Sequence, residues 1–277
     1  MKIKYDVGIT GFLWTTPVVT GLCVVISASS TYAATIALSQ AQVEIAPISH
    51  SAFVWETATE ANTFAVASPE SHVVAIASAT AVGMNTPIGG AAFNQTQSIA
   101  SGEGYNYFGI AQSASAILGA FSVGKNETFA FNFGAKLDLF TSIDDPLIED
   151  AHAQGQINFK IINVCTGLLL DSFSLFGNLG TKGVGNYGFN TFGSNFSGMM
   201  EVSQKIGGNQ QNIGVSWSDG FYSRVFDENT NIVVIEDKDN IAAVPEPSTV
   251  LGSAVFLGLL NLVRQIKDQL LTSNEKK

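Results

Sequence analysis

The sequence FAFNFGAKLDL, residues 129–139, is the stretch that decides the fold. Apolar residues stand at every odd position from 129 to 139, and small or polar residues stand between them. Successive side chains of a β-strand point to opposite faces, so this period of two predicts a strand with one buried face. Few segments between residues 34 and 243 carry the three-and-four spacing of a long amphipathic helix.

A hairpin is predicted after this strand. Ile157, Phe159 and Ile161 alternate with polar residues, and a second apolar run extends from 168 to 176. The turn between them lies at residues 165–167, which include a glycine. Two such runs joined by a short turn are typical of antiparallel pairing.

Further segments predict shorter or weaker strands. Residues 213–217 alternate in the same way, Asp219-Gly220 predicts a turn, and residues 221–226 form the returning strand. The remaining candidates are short, or rich in Ala and Ser: 73–82, 113–123 and 232–235.

The connections predicted between these strands are rich in glycine. Residues 177–198 hold seven glycines and are predicted to be a long surface loop, and residues 237–247 are predicted to be a linker. Short strands separated by Gly and Asn turns are typical of all-β folds. We therefore expect an antiparallel β-sandwich or jelly-roll-like domain over residues 34–243.

The C-terminal segment has a different character. Val244-Pro245-Glu246-Pro247-Ser248 precedes an uncharged apolar run over 249–263, and Arg264 and Lys267 follow it. The two prolines hold their segment extended. A helix over that run spans roughly 22 Å, less than the bilayer core of about 30 Å. A run of this length spans the bilayer only if the helix continues to about residue 266, so a membrane helix is predicted over about 249–266. Its basic side chains are expected to reach the interface, and their position favours a cytoplasmic C-terminus.

This arrangement resembles the PEP-CTERM sorting signal of bacterial exosortase substrates. The Val-Pro-Glu-Pro-Ser form matches at residues 244–248, and the resemblance covers the C-terminal eighth of the chain. The basic cluster is thinner than in that family, and a polar tail, 272–277, extends beyond it. The resemblance implies processing by a membrane enzyme, the exosortase, and a role near an exopolysaccharide-containing matrix. The alternative is a plain membrane or amphipathic helix behind a proline linker.

The N-terminal segment predicts export by the same route. Lys2 and Lys4 precede an apolar run over 7–26, and small residues follow it. This layout is typical of a secretory signal peptide, residues 1–33, with cleavage after Ala33 or, as a close alternative, after Ala34. A retained signal anchor is the other interpretation.

Composition narrows the class of partners. The segment 34–243 contains 19 acidic and 7 basic residues, a net charge of −12, within a chain of net charge −10. An acidic surface of this kind disfavours nucleic acid and anionic lipid as partners. Cys165 is the only cysteine of this segment, so a disulfide within it is excluded.

Two acidic segments are candidate calcium sites, because calcium prefers carboxylate and amide oxygens. Asp227, Asn229 and Asn231 alternate as at the start of an EF-hand loop, but Ile232 and Lys238 replace the glycine and glutamate which that loop requires. Only a looser site at Asp227, Glu228 and Asn229 remains. The densest acidic segment is predicted to be an exposed loop between strands or, as the alternative, a calcium site: Asp144, Asp145, Glu149 and Asp150.

Catalytic patterns are weak in this chain. His50, His72 and His152 have no metal-ligand spacing, and Cys165 stands at a predicted turn, where a partly buried or inert thiol is expected. The Gly-x-Ser-x-Gly motif of hydrolases is absent from the sequence. Aromatic residues that stack on sugars in some β-sandwich lectins, or that fill a core, are Tyr105, Tyr107, Phe108, Tyr187, Phe189, Phe192, Trp217 and Tyr222.

We therefore expect an exported protein of the cell envelope, cell surface or extracellular matrix, transiently anchored in the membrane, without enzyme activity or a firm cofactor. Its expected partners are an exosortase-type enzyme, the membrane and an extracellular polysaccharide, but not nucleic acid. A carbohydrate-binding β-sandwich module, assisted by calcium, is the alternative. A hydrolase of envelope polysaccharide ranks last, since no acid pair or nucleophile stands out.

Overall fold

The part of the chain that the structure describes consists of strands, turns and bends. The computed structural model describes residues 34–145, 147, 149–181, 186–207 and 211–245, and these ranges contain no helix. Among those residues there is accordingly no helix long and apolar enough to cross a membrane. The all-β prediction is confirmed for these ranges. The predicted signal peptide and membrane helix lie outside them, as do Glu246, Pro247, Ser248, Arg264 and Lys267.

Twelve strands follow one another within the described residues. They are β1 Ala34–Ile48, β2 Val54–Ala67, β3 His72–Thr86, β4 Gly89–Glu103, β5 Tyr107–Val123, β6 Thr128–Ser142, β7 His152–Asn163, β8 Leu169–Gly180, β9 Asn186–Phe192, β10 Phe196–Gly207, β11 Gln211–Val225 and β12 Thr230–Pro245.

These strands form two six-stranded sheets in which every pair is antiparallel. The first sheet has the order β10-β11-β6-β1-β4-β3, and the second has the order β2-β5-β12-β7-β8-β9. Side chains from both sheets share one hydrophobic cluster, so the sheets pack face to face in a β-sandwich-like arrangement.

The strand predicted from residues 129–139 is β6, which lies between β1 and β11. Its odd-numbered residues from Phe129 to Leu139 are buried, and its even-numbered residues face the solvent side. The predicted hairpin is also present as β7 and β8, in which Asn163 Oδ1 accepts the backbone N–H groups of Cys165 and Thr166. The weak candidates at 73–82 and 113–123 belong to β3 and β5.

The turn predicted at Asp219-Gly220 is wrong. β11 runs through both residues, which pair with Gly134 and Phe133 of β6. A Cβ atom placed on Gly220 would lie 2.0 Å from Phe133 Cζ. Glycine therefore makes room for the phenyl ring at this position instead of turning the chain.

Two segments predicted to be irregular are strands. The predicted loop 177–198 contains the end of β8, all of β9 and the start of β10, and the predicted linker from residue 237 is the second half of β12. Glycines and charges in these segments resemble those of loops, yet neighbouring strands complete their backbone hydrogen bonds. Val244 is fully buried, and Pro245 pairs with Phe108, so β12 includes the first two residues of the predicted sorting motif.

Aromatic rings fill one end of the interior. Phe129, Phe131 and Phe133 of β6 alternate inward and meet rings of the opposite sheet. The centroid of Phe133 lies 4.9 Å from that of Phe159 and 5.1 Å from that of Phe173. Each buried ring removes on the order of 150–250 Å² of surface from water, so this cluster is the main apolar contribution to stability.

A polar belt separates this cluster from a smaller apolar cluster that includes Tyr107 and Val244. The central residue of the polar belt is Asn94 of β4. Its side-chain amide donates to Glu236 and accepts from Ser115, and its backbone carbonyl accepts from Lys238. Lys238 Nζ lies 3.6 Å from Glu236 Oε1. The polar belt comprises Ser39, Asn94, Thr96, Ser98, Ser113, Ser115, Glu236, Lys238 and Asn240, and all are buried.

Burial dominates the titration of the two charged residues of the polar belt. It raises the pKa of Glu236 and lowers the pKa of Lys238, and the attraction between the two opposes both shifts. Since either charge alone would be left without its counter-ion, we expect the loss of one partner to destabilise the packing of β12 against β4 more than the loss of both.

We expect Lys238→Met to lower the free energy of unfolding by about 3–5 kcal/mol, because Glu236 then loses its counter-ion and must either bind a proton or stay buried as an unpaired charge. The double variant Glu236→Gln/Lys238→Met keeps the acceptor for Asn94 and removes both charges, so it is expected to cost clearly less than the single variant. Urea unfolding measures both values. Equal losses in the two variants would contradict a coupled pair.

The stability difference between the wild type and this double variant is also expected to depend on pH. The folded state keeps a proton on Glu236 that the unfolded state releases, so the wild type loses relative stability as pH rises above 4.5. The unfolded state keeps a proton on Lys238 that the folded state releases, so the wild type regains relative stability as pH rises toward 10.5. A difference that changes in one direction only across this range would contradict the assignment.

Candidate functional site

An open groove of about 560 Å³ lies on the solvent face of the first sheet. It crosses four neighbouring strands, β10, β11, β6 and β1, and we call it the sheet groove. Its lining residues are Gln42, Glu44, Ala46, Asn132, Phe133, Gly134, Lys136, Ser197, Gly198, Met199, Asp219, Gly220 and Phe221. A groove of this volume is within the range of sites that bind small ligands.

The register of the strands explains why the sheet groove is concave. Gly134 of β6 pairs with Glu44 of β1 on one side and with Asp219 of β11 on the other. The backbones of Glu44 and Asp219 are thus two strand spacings apart, roughly 9.6 Å. Because Gly134 has no side chain, two carboxylates stand on either side of an empty position on the sheet.

Hydrogen-bonding and apolar groups surround this position. One row across the strands consists of Asn132, Phe221 and Ser197, which pair in register. Phe221 is 42% exposed and Met199 is 79% exposed, although both are large apolar residues. The sheet groove therefore combines an exposed aromatic ring with amide, hydroxyl and carboxylate groups.

The charge of the sheet groove is predominantly negative. Glu44 and Asp219 are both exposed, while the ammonium group of Lys136 lies 2.6 Å from Asp138 Oδ2 on the same strand and is paired with it. The described lining thus presents carboxylates as hydrogen-bond acceptors and retains little free positive charge. This electrostatic character favours ligands rich in hydroxyl donors and disfavours polyanions.

The predicted acidic loop lies between β6 and β7, as expected, but it is not uniformly exposed. Glu149 is only 3% exposed, and its Oε2 accepts the backbone N–H groups of Asp144 at 2.7 Å and Asp145 at 2.9 Å. Asp150 Oδ1 accepts the hydroxyl of Thr181 at 2.9 Å. The prediction of full exposure is therefore wrong for Glu149, whose carboxylate holds the loop.

The second candidate calcium segment lies in the connection between β11 and β12. Asn229 Oδ1 accepts the backbone N–H of Lys125 at 2.8 Å, and Asp227 is exposed. Among the described residues, no group of three or more His, Cys, Asp or Glu side chains is placed to hold a metal ion. The calcium alternative stays a prediction for both segments.

A buried carboxylate outside the sheet groove has a structural role. Asp171 of β8 is fully buried, and its Oδ2 accepts hydrogen bonds from Asn195 at 2.8 Å, from Tyr222 at 3.3 Å and from Arg224 at 3.3 Å. Burial, and then the charge of Asp171, raise the pKa of the Tyr222 hydroxyl, which therefore remains protonated. This network ties the second sheet to β11 of the first sheet.

The remaining predicted residues do not converge on one site. His50 lies in the connection after β1, His72 lies on β3 and His152 lies on β7. Cys165 is exposed, which excludes the partly buried thiol, while the alternative of an inert thiol stays a prediction. Tyr107 and Tyr222 are core residues, whereas Tyr105 is 58% exposed in the connection after β4. The side chains of the other sugar-stacking candidates are not described, except that of the half-buried Phe108.

Most lining residues of the sheet groove were missed by sequence reasoning. Asn132, Gly134 and Lys136 were recognised as the polar phase of β6, but not as the floor of a site. Glu44 comes from a strand without a strong alternation signal, and Asp219 was assigned to a turn. The sequence does not state which strands become neighbours, so it could not reveal that these residues line one groove.

Comparison with known proteins adds no assignment to this geometry: no protein-family model, no curated protein and no solved structure matches the chain.

We expect Glu149→Gln to lower the free energy of unfolding by about 1–3 kcal/mol, because the two backbone N–H groups lose a charged acceptor. The loss should be the same in a calcium buffer and in a chelator, as measured by thermal unfolding. Asp144→Asn is a matched control, since Asp144 is an exposed carboxylate of the same loop. Calcium-dependent stabilisation that disappears in Glu149→Gln would instead identify this loop as a cation site.

Proposed function

We propose that this chain is an exported, non-enzymatic surface protein whose β-domain, a sandwich of jelly-roll type, binds an uncharged polysaccharide in the sheet groove. The observation that carries the proposal is the position of Gly134 between Glu44 and Asp219, beside the exposed ring of Phe221. These groups lie on three paired strands, β11, β6 and β1, which hold them rigidly before a ligand arrives.

The chemistry of a sugar ring fits such a lining. One face of a pyranose is apolar and stacks on an aromatic ring, while its hydroxyl groups donate to carboxylates and amides. Phe221 supplies the ring, and Asn132, Glu44 and Asp219 supply the acceptors. The groove is open along the sheet, so a chain of sugars would leave at either end.

The charge of the domain selects the class of polymer. Glu44 and Asp219 would repel a uronic acid or a sulfated sugar, and the net charge of −12 over residues 34–243 adds to this repulsion. Uncharged polysaccharide is therefore the proposed ligand, and nucleic acid is disfavoured for the same reason.

The two ends of the chain support the proposed location. The predicted signal peptide directs export, and the resemblance at residues 244–248 implies sorting by an exosortase, with a helix over about 249–266 as a transient membrane anchor. These segments support a location at the cell surface or in the extracellular matrix, where a polysaccharide is an accessible ligand. No cofactor is needed for the binding proposed.

Phe221→Ala is expected to weaken binding to a soluble uncharged polysaccharide by about tenfold or more, which corresponds to about 1.4 kcal/mol. Isothermal titration against a glucan, a mannan and a galactan measures this effect, with alginate as the anionic comparison. Phe64→Ala is the matched control, because Phe64 is 44% exposed on an edge strand of the second sheet and lies outside the sheet groove. Equal affinities of both variants, or a preference for alginate, would contradict the proposal.

Incubation of the protein with the same polysaccharides tests whether it is an enzyme. New reducing ends are not expected after prolonged incubation with any bound polymer. Their appearance, and their loss in Glu44→Gln or Asp219→Asn, would instead favour the hydrolase alternative.

Export and sorting are tested by cell fractionation of the full chain beside a chain that ends after Pro245. This end point keeps β12 complete, whereas a stop after Ala243 would remove the buried Val244. We expect the full chain to be found in the membrane fraction before it is released. The shortened chain is expected to leave the cell without appearing in that fraction. Uncut, soluble full-length protein in the cytosol would overturn the proposed location.

A further inference from the structure

The four strands at the edges of the two sheets differ in how they are protected from further pairing. β2 carries Glu56 and Glu60, β10 carries Glu201 and Lys205, and β9 is only seven residues long. Charges and short length are the usual features that prevent an exposed edge from binding another strand.

β3 has neither of these features. It is 15 residues long, it has no Asp, Glu, Lys or Arg, and in the described structure it is hydrogen-bonded only to β4. Its solvent face is apolar at both ends, since Val74, Ile76, Val82 and Met84 are 39–52% exposed. A long, uncharged edge of this kind is a template for strand addition.

The sequence of β3 is self-complementary about Ala79. In an antiparallel pair of two β3 strands centred on this residue, Val74 faces Met84, Ile76 faces Val82, and Ser78 faces Thr80. Aliphatic residues therefore meet aliphatic residues, and hydroxyls meet hydroxyls, on the solvent face. On the other face the facing residues are mostly small: Ala75 with Gly83, Ala77 with Ala81, and Ala79 with its own copy.

We infer that two copies of this chain associate through β3, in antiparallel register about Ala79, and that the two first sheets join into one continuous sheet. A two-fold axis at Ala79 uses the same strand on both copies, so the interface closes at a dimer. Self-association through β2 is disfavoured, because its glutamates would bring like charges together across the interface.

The dimer presents two sheet grooves on one continuous sheet. Each groove lies on β10, β11, β6 and β1, and β4 and β3 separate it from the axis. Two sites on one rigid body bind a repetitive polymer more tightly than either site alone when the polymer spans both. The dimer itself does not depend on the polysaccharide proposal and is tested separately.

Sedimentation velocity of the full chain in a mild detergent measures the association. We expect a dimer for the wild type and, for Ser78→Lys/Thr80→Lys, a dissociation constant at least about tenfold weaker, because four lysines then surround the axis. Ala58→Lys/Asn62→Lys places the same charges on the exposed face of β2 and should leave the dimer intact. A monomeric wild type, or equal behaviour of both variants, would overturn the inference.

The register is tested with substitutions close in size to the native residues, in a Cys23→Ser/Cys165→Ser background. Ser78→Cys and Thr80→Cys chains, when mixed, should form a disulfide-linked dimer, since residues 78 and 80 face each other across the axis. Each chain alone should cross-link much more slowly, because equivalent residues are diagonal and about 7–8 Å apart. Cross-linking of either chain alone as fast as the mixture, or none in the mixture, would overturn the register.

Discussion

The contact of Phe133 with Phe159 and Phe173 of the opposite sheet holds the two layers of the domain at the aromatic end, with ring centroids 4.9 and 5.1 Å apart. The same strand that supplies this ring also supplies the floor of the sheet groove. Strict alternation sends Phe131 and Phe133 inward and Asn132 and Gly134 outward. The core and the candidate binding site are therefore two faces of β6, and a slip of its register by one residue would destroy both.

The interior of the domain has three zones: an apolar cluster lies at each end, and the polar belt lies between them. Charged groups in such a position stabilise the fold only if every partner is in place. Asn94 connects the two charges, because its side-chain amide donates to Glu236 and its backbone carbonyl accepts from Lys238. Because a shift of β12 along β4 would separate these groups, we interpret the belt as a feature that favours this alignment of the two sheets.

The proposed functions use surfaces that this framework leaves free. The sheet groove lies on the solvent face of four strands, and β3 lies at the opposite edge of the same sheet. Binding of a polysaccharide and association of two copies would therefore not compete for the same residues. The proposed export, sorting and membrane anchoring depend on the terminal segments, which are separate in the chain from both surfaces.

Much of the architecture could be predicted where one face of a strand is strongly apolar, as in β6 and the β7–β8 hairpin. The prediction failed where polar or small residues face inward. β4 places Asn94, Thr96 and Ser98 in the interior, and β12 places Glu236 and Lys238 there, so neither has the expected alternation. At Gly220 a residue typical of turns instead makes room for a ring from a neighbouring strand.

The sequence by itself determined the all-β class, the phase of β6, the acidic charge and the character of the two ends, because these depend on composition and on residues close together in the chain. Only the tertiary structure decided that Glu44, Gly134 and Asp219 stand in one row, and that Asn94 meets a glutamate 142 positions away. Antiparallel pairing brings distant segments together, and the choice of partners depends on the packing of the whole interior.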